Sequence, residues 1–291
     1  MRYDSVKELC SKAQERNMKI SELVLEDQAL FTEKSKEELL NNMRSTLEVM
    51  KASVKEGMIS GRRSVSGLTG GDALKMKKAV EEGRTLCGPV FGNALSRALS
   101  ISECNACMGK IVAAPTAGSC GVLPAVLLTI AEDKKFSEEQ ITLSLFTASG
   151  IGMVIANKAS VSGAEGGCQA EIGSASAMAA AALVELSGGT PDMSGHACAI
   201  ALKNILGLVC DPVAGLVEIP CIKRNAMGVA NALVAAELTL AGIESKIPVD
   251  EVIAAMKKVG DSISPALRET AEGGLAATPT AKRYFHEVFG N

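Results

Sequence analysis

Three of the nine cysteines in this 291-residue chain, Cys168, Cys210 and Cys221, lie in segments broken by glycine or proline: EGGCQ, VCDPVAG and EIPCI. Glycine lets backbone approach a bulky ligand closely, and proline keeps a helix from running on past the sulfur. Thiolates that must meet at one metal centre are best offered from such irregular segments, whose amides can also donate to the sulfurs. Packing is the competing reading, because free cysteine is among the most buried residue types. On the pattern alone both readings stand. Cys104 and Cys107 form a CNAC pair in a helical pattern, where residues three apart share a face; a single C-x-x-C does not make a zinc or redox site. Cys120, in TAGSCGV, would need His196 brought to it by the fold to act as a nucleophile. Cys10, Cys87 and Cys198 read as packing residues.

Two loops add anion chemistry. PTAGSCG places Thr116, Gly118, Ser119 and Gly121 at a predicted helix start, where unsatisfied N–H groups and the helix dipole favour a carboxylate or phosphate. SGLTGGDA offers Thr69, Gly70 and Gly71 ahead of another helix. Neither is a Walker A loop, since the Gly-Lys-Ser/Thr ending is missing. Each also reads as an ordinary helix cap. Together with three loop cysteines they point to a small-anion site at a metal.

The elements that must position these residues read as helices. SVKE at Ser5–Glu8, SKEE at Ser35–Glu38 and SEEQ at Ser137–Gln140 fit capping boxes ahead of helix-spaced apolar residues. The second of these helices ends near Gly57 and the third near Ala156. Helical patterning also covers ALKMKKAVEEG, FGNALSRALSISECNACMGK and a segment fed by the 115–121 turn, with Pro124 in its first turn. The stretch Asn157–Glu171 reads as a loop into an Ala-rich helix that Ser187-Gly188-Gly189 ends. Further helices are expected over Asp192–Leu206, Met227–Ala241 and Val249–Val259, with an irregular stretch before Met227. GKIVAAP is short and isolated for a strand. The expectation is an all-α fold: one compact helical domain with Gly-rich loops, residues 1–60 forming a helical arm packed on the domain of residues 61–291.

Composition narrows the function. Hydrophobic residues are 47%, charged residues 22%, and 30 basic side chains face 33 acidic ones, which is ordinary for a globular chain. No basic block, no Trp and only two Tyr argue against nucleic acid as partner. The uncharged run Ile111–Ala131 is interrupted by Pro115, Gly118, Gly121 and Pro124, so no membrane span is expected, and no signal peptide is visible. A cytoplasmic setting follows, in which nine cysteines stay reduced rather than forming a disulfide framework. With aromatics at 3%, a core of small side chains should pack helix on helix.

The segments APTAGSCGVLPAVL, SGAEGGCQAEIGSASAMAAAALVEL and GLVCDPVAGLVEIPCIKRNAMG resemble the α chain of the bacterial iron–sulfur-dependent L-serine dehydratases (L-serine ammonia-lyases). The resemblance covers essentially the whole chain, and the separations of Cys168, Cys210 and Cys221 agree with that family's three cluster-ligating cysteines. It implies a [4Fe–4S] cluster held by these thiolates, no pyridoxal phosphate, and conversion of L-serine to pyruvate and ammonia. One iron left without a protein ligand would act as Lewis acid on the substrate oxygens. The loop of Thr116, Gly118, Ser119 and Gly121 would hold the carboxylate, with Thr69, Gly70 and Gly71 nearby. Lys158 is the candidate base, or else a group from a partner, and Lys223 and Arg224 would offset cluster charge. Single-chain relatives carry a further N-terminal domain with a Ser-Ser-Ser-His-Thr type motif, which these 291 residues lack. A separate β subunit and a hetero-oligomer are therefore expected. Some relatives also end in a cysteine that folds back on the cluster; this chain ends HEVFGN. The rival readings are a related iron–sulfur lyase such as an L-cysteine desulfidase, and a non-catalytic helical binding subunit. A pyridoxal-phosphate enzyme would ordinarily use an α/β scaffold, and strand signals are too thin for one.

Overall fold

The computed structural model describes residues 3–290, and among them there is no strand; a lone β-bridge joins Cys210 to Arg268. The fold is all-α. Its N-terminal third holds α1 (Val6–Glu15), α2 (Ile20–Thr32), α3 (Lys36–Gly57), α4 (Asp72–Glu81) and α5 (Gly88–Ala106). The middle holds α6 (Val122–Lys134), α7 (Glu138–Lys158), the single turn α8 (Gly163–Gly166), α9 (Ser174–Leu186) and α10 (Pro191–Lys203). The chain continues with α11 (Cys221–Leu240), α12 (Val249–Ser262) and α13 (Pro279–Phe289).

The caps read from sequence are in place: the Oγ atoms of Ser5, Ser35 and Ser137 accept the N–H groups of Glu8, Glu38 and Gln140. The core helix is α9. Every residue from Ser174 to Glu185 is buried, and α9 packs against α6, α7, α10 and α11. A helix apolar on all sides belongs at a centre, and alanine lets its neighbours close in. Close approach recurs between α3 and α5, where a Cβ on Gly57 would lie 1.9 Å from the backbone oxygen of Ser100. Residues 3–57 share this core through Val6, Leu9, Val24 and Leu47. A buried carboxylate ties them to α9: Glu185 accepts from the N–H groups of Ile20 (2.6 Å) and Ser21 (3.2 Å) and from the Thr147 hydroxyl (2.6 Å). By length and composition α7 could cross a membrane, but 67% of its most apolar window is buried, the mark of a core helix.

Several boundaries differ from expectation. Helix α2 lacks a Ser/Thr cap and starts instead where Glu22 accepts the Lys19 N–H at 2.9 Å. The 157–171 stretch is not one loop: α7 runs to Lys158, and α8 and a π turn over Gln169–Gly173 fill the rest. Helix α11 begins at Cys221 rather than near Met227, because Pro220 sits just outside its first turn, where a missing N–H costs nothing. GKIVAAP is extended chain without a pairing partner.

Candidate functional site

The three loop cysteines come from three different breaks in the helical pattern. Cys168 stands at the head of the π turn that feeds α9, and such turns, uncommon overall, are frequent at functional sites. That turn is pinned by Gln169, whose amide donates to the Met256 carbonyl and accepts from the Gly207 N–H, both at 2.9 Å. Cys210 lies in extended chain, with its N–H donated to the Leu267 carbonyl at 2.9 Å and its carbonyl accepting the Glu269 N–H at 2.8 Å. Cys221 opens α11 directly after Pro220.

Burial pushes the Cys168 thiol up to about 11, against the pull of the Arg224 guanidinium. Burial pushes Cys221 up to about 12, with Cys168 and Glu171 adding to it. Cys210 is raised further, by burial first and then by Cys168, Glu171, Glu269 and Cys221. Desolvation here disfavours the thiolate form of each; a metal would offset it by binding the thiolates in the protons' place.

Glu171 is the carboxylate at this meeting point. Its acid is held above the ordinary range by burial, with Glu269 adding to this and the Thr116 hydroxyl opposing it. Two glycines leave room there. A Cβ on Gly163 would sit 2.9 Å from both the Cys210 sulfur and a Glu171 oxygen, and one on Gly118 would sit 3.2 Å from the other Glu171 oxygen. The 115–121 loop is clamped to α11 by Asn225, which donates to the Gly118 carbonyl (2.7 Å) and accepts the Gly121 N–H (2.9 Å). Ser119 is fully buried, with its hydroxyl 3.1 Å from that of Thr116.

The Thr69–Gly71 loop reaches the same neighbourhood through Glu218, three residues before Cys221. Glu218 accepts from the hydroxyls of Thr69 (2.7 Å) and Ser66 (2.9 Å). Gly70 and Gly71 both have positive φ, and a Cβ on Gly70 would lie 2.6 Å from the Arg62 carbonyl, so this turn needs glycine. The N–H groups of Asp72 and Ala73 are taken by buried Glu103, at 2.7 and 3.3 Å.

Lys158 stands elsewhere: its side chain is 47% exposed and pairs with Asp4 at 3.8 Å. Lys223 points to Asp72 at 3.4 Å, whereas Arg224 turns inward to Cys168 and Asp211. Cys104 is fully buried and Cys107 donates to the Arg63 carbonyl; neither takes part in the trio. Cys120 is buried near the Ile101 carbonyl, while His196 accepts the Ser245 N–H, so no Cys–His dyad is assembled from them. Sequence reading passed over Glu171, Glu218, Asn225 and Asp211. Glu171 had a signal, being the only charge between Cys168 and Glu185 in an otherwise uncharged run.

Among the described residues no three His, Cys, Asp or Glu side chains are close enough to share a single ion. A polynuclear cluster spreads its ligands more widely than one ion does, and soft thiolates from irregular segments are its usual donors. The donor set, the glycine-lined space and the cation beside Cys168 fit such a group.

Fold and site define an all-α protein with three loop thiols, two of them buried, beside a carboxylate. The chain belongs to the serine dehydratase alpha chain family, whose sequence model matches residues 15–276. It is 52% identical to the "Probable L-serine dehydratase, alpha chain" of Bacillus subtilis, over 99% of this chain and 96% of that one. It is 45% identical to the "L-serine dehydratase, alpha chain" of Peptoniphilus asaccharolyticus, over 96% of each chain. The "L-serine dehydratase" of Streptomyces coelicolor is 38% identical over 92% of this chain, which spans 59% of that longer protein.

Proposed function

We propose that this chain is the α subunit of an L-serine ammonia-lyase, a cytoplasmic lyase that converts L-serine to pyruvate and ammonia in company with a separate β subunit. The observation that carries the reading is that Cys210 and Glu171 crowd the same face of Gly163, where a Cβ would lie 2.9 Å from both, while Cys168 and Cys221 open the helical turns that flank them. Near-full-length similarity to two proteins named as L-serine dehydratase alpha chains supports it.

Cys168, Cys210 and Cys221 would hold a [4Fe–4S] cluster, without pyridoxal phosphate. The cluster would supply Lewis-acid assistance to departure of hydroxide, which is otherwise a poor leaving group. The chain's own residues do the rest. Thr116 and Gly118 present the wall that receives the substrate carboxylate. Ser119 and Gly121 act through the loop's shape, since their polar groups are engaged with Thr116 and Asn225. Thr69, Gly70 and Gly71 close the opposite side through Glu218. Glu171, beside the thiols, is our candidate to take the α-proton; Lys158 is the alternative, and a group from the β subunit a further one. Elimination leaves an enamine, which tautomerises and hydrolyses to the products.

The test is anaerobic co-purification with a candidate β chain, followed by pyruvate assays with serine, threonine and cysteine. Serine turnover supports the reading, preference for cysteine favours a desulfidase, and no turnover of any of them leaves a binding subunit.

A further inference from the structure

We infer that Asp211 is a positioning residue that locks the C-terminal segment and the Arg224 guanidinium into one arrangement over the thiols. Its two carboxylate oxygens serve two different parts of the chain. Oδ1 accepts from Arg224 Nη2 at 2.9 Å, and Oδ2 accepts the Leu275 N–H at 2.8 Å. Asp211 adjoins Cys210 and Arg224 follows Cys221 by three positions, and the inference rests on the proposed cluster reading for its functional meaning.

On the Arg224 side, the guanidinium donates a second bond to the Val209 carbonyl at 2.8 Å and interacts with the Cys168 sulfur. Its planar fork is thereby fixed by Asp211 on one edge and by backbone on the other. On the C-terminal side, residues 264–278 cross Cys210, whose peptide exchanges hydrogen bonds with Leu267 and Glu269. The same segment then turns at Gly274, with φ +57°, to deliver the Leu275 N–H to Asp211. A Cβ on Gly274 would lie 2.5 Å from Asp211 Oδ2, so the turn and the carboxylate fit without slack.

The Asp211 and Arg224 side chains are 5% and 14% exposed. A buried ion pair adds little net stability over an apolar pair of the same shape, so its use is to select one geometry. Asparagine cannot replace Asp211 here. It has one acceptor oxygen, and its amide N–H₂ would face either the Arg224 or the Leu275 donor.

The test uses the full-length, metal-free chain, so its outcome is independent of lyase activity. Two readouts are followed: hydrogen exchange at the Leu275 amide, and the Arg224 guanidinium resonance in [15N]arginine-labelled protein, assigned with Arg224→Lys. Asp211→Ala, which removes both acceptors, should lower Leu275 protection by about tenfold or more and shift the Arg224 signal. Gly274→Ala, which touches neither Arg224 nor a cysteine, should do both as well. This second variant carries the test if Asp211→Ala does not fold. A Gly274→Ala chain that frees Leu275 while the Arg224 signal stays at its native position would overturn the inference, as would either variant with native exchange at Leu275.

Discussion

Thr69 and Glu218 lie 149 positions apart and are joined by a hydrogen bond of 2.7 Å from the Thr69 hydroxyl to Glu218 Oε2. The contact brings the glycine-rich turn ahead of α4 to the segment that carries Cys221. Ser66 donates to the same oxygen, so one buried carboxylate anchors the whole turn. Replacing Glu218 with Ala should cost about 1–3 kcal/mol of stability in urea unfolding. If this turn closes the substrate site, KM for serine should rise more than kcat falls. An unchanged KM would remove the turn from substrate binding.

Glu171 provides a direct test of proton handling. Glu171→Gln keeps the side chain's size and polarity but cannot take up a proton. Serine turnover should fall by about 10²–10⁴-fold, the usual contribution of a positioned acid–base group, with iron content unchanged. Lys158→Ala should leave turnover near wild type, given that its partner is exposed Asp4. The opposite pair of results would return the role to Lys158.

Much of this was legible beforehand, and what was not has identifiable causes. The Ser5, Ser35 and Ser137 caps are local chemistry, so sequence alone located α1, α3 and α7. The cysteine trio was visible because glycine and proline mark where helices must break. Helix α2 escaped notice because its start relies on Glu22 reaching back to Lys19 rather than on a Ser or Thr. The start of α11 escaped because Pro220 reads equally as a breaker and as a residue preceding a first turn. Glu171 owes its place to a π turn, and nothing in residue spacing distinguishes that turn from ordinary helix. Asn225 and Asp211 act across more than a hundred and more than sixty positions, respectively, distances that only the tertiary fold closes.

Glu103 gives a pH dependence with a defined sign. Burial raises its acid above the ordinary range, and the N–H groups of Asp72, Ala73 and Gly71 only partly offset this. A carboxyl whose folded pKa exceeds its unfolded one contributes stability below the unfolded value and loses it as pH rises through the folded value. The wild type should therefore lose stability relative to Glu103→Gln between the unfolded glutamate pKa and neutrality. Parallel urea titrations across that window check this; wild-type stability that holds level or rises relative to Glu103→Gln as pH increases would contradict it.

Close contact of α3 with α5 sets two effects against each other at Gly57. Alanine gains up to about 1 kcal/mol in helix propensity. Its Cβ would lie 1.9 Å from the Ser100 carbonyl oxygen, a backbone atom that moves only if the helices separate. Overpacking typically costs about 1–3 kcal/mol or more, so Gly57→Ala should be destabilising on balance. A raised midpoint in thermal unfolding would show that the two helices part easily.

The central claim is that Cys168, Cys210 and Cys221 hold an iron–sulfur cluster, and iron and acid-labile sulfide counted after anaerobic reconstitution test it most directly. The wild type and the Cys104→Ala and Cys107→Ala variants should each carry about four iron and four sulfide per chain, with broad visible absorption. Cys168→Ala, Cys210→Ala and Cys221→Ala should each lose both. Wild-type protein that stays free of iron, or retention of the full complement when any of the three is replaced, would contradict the account.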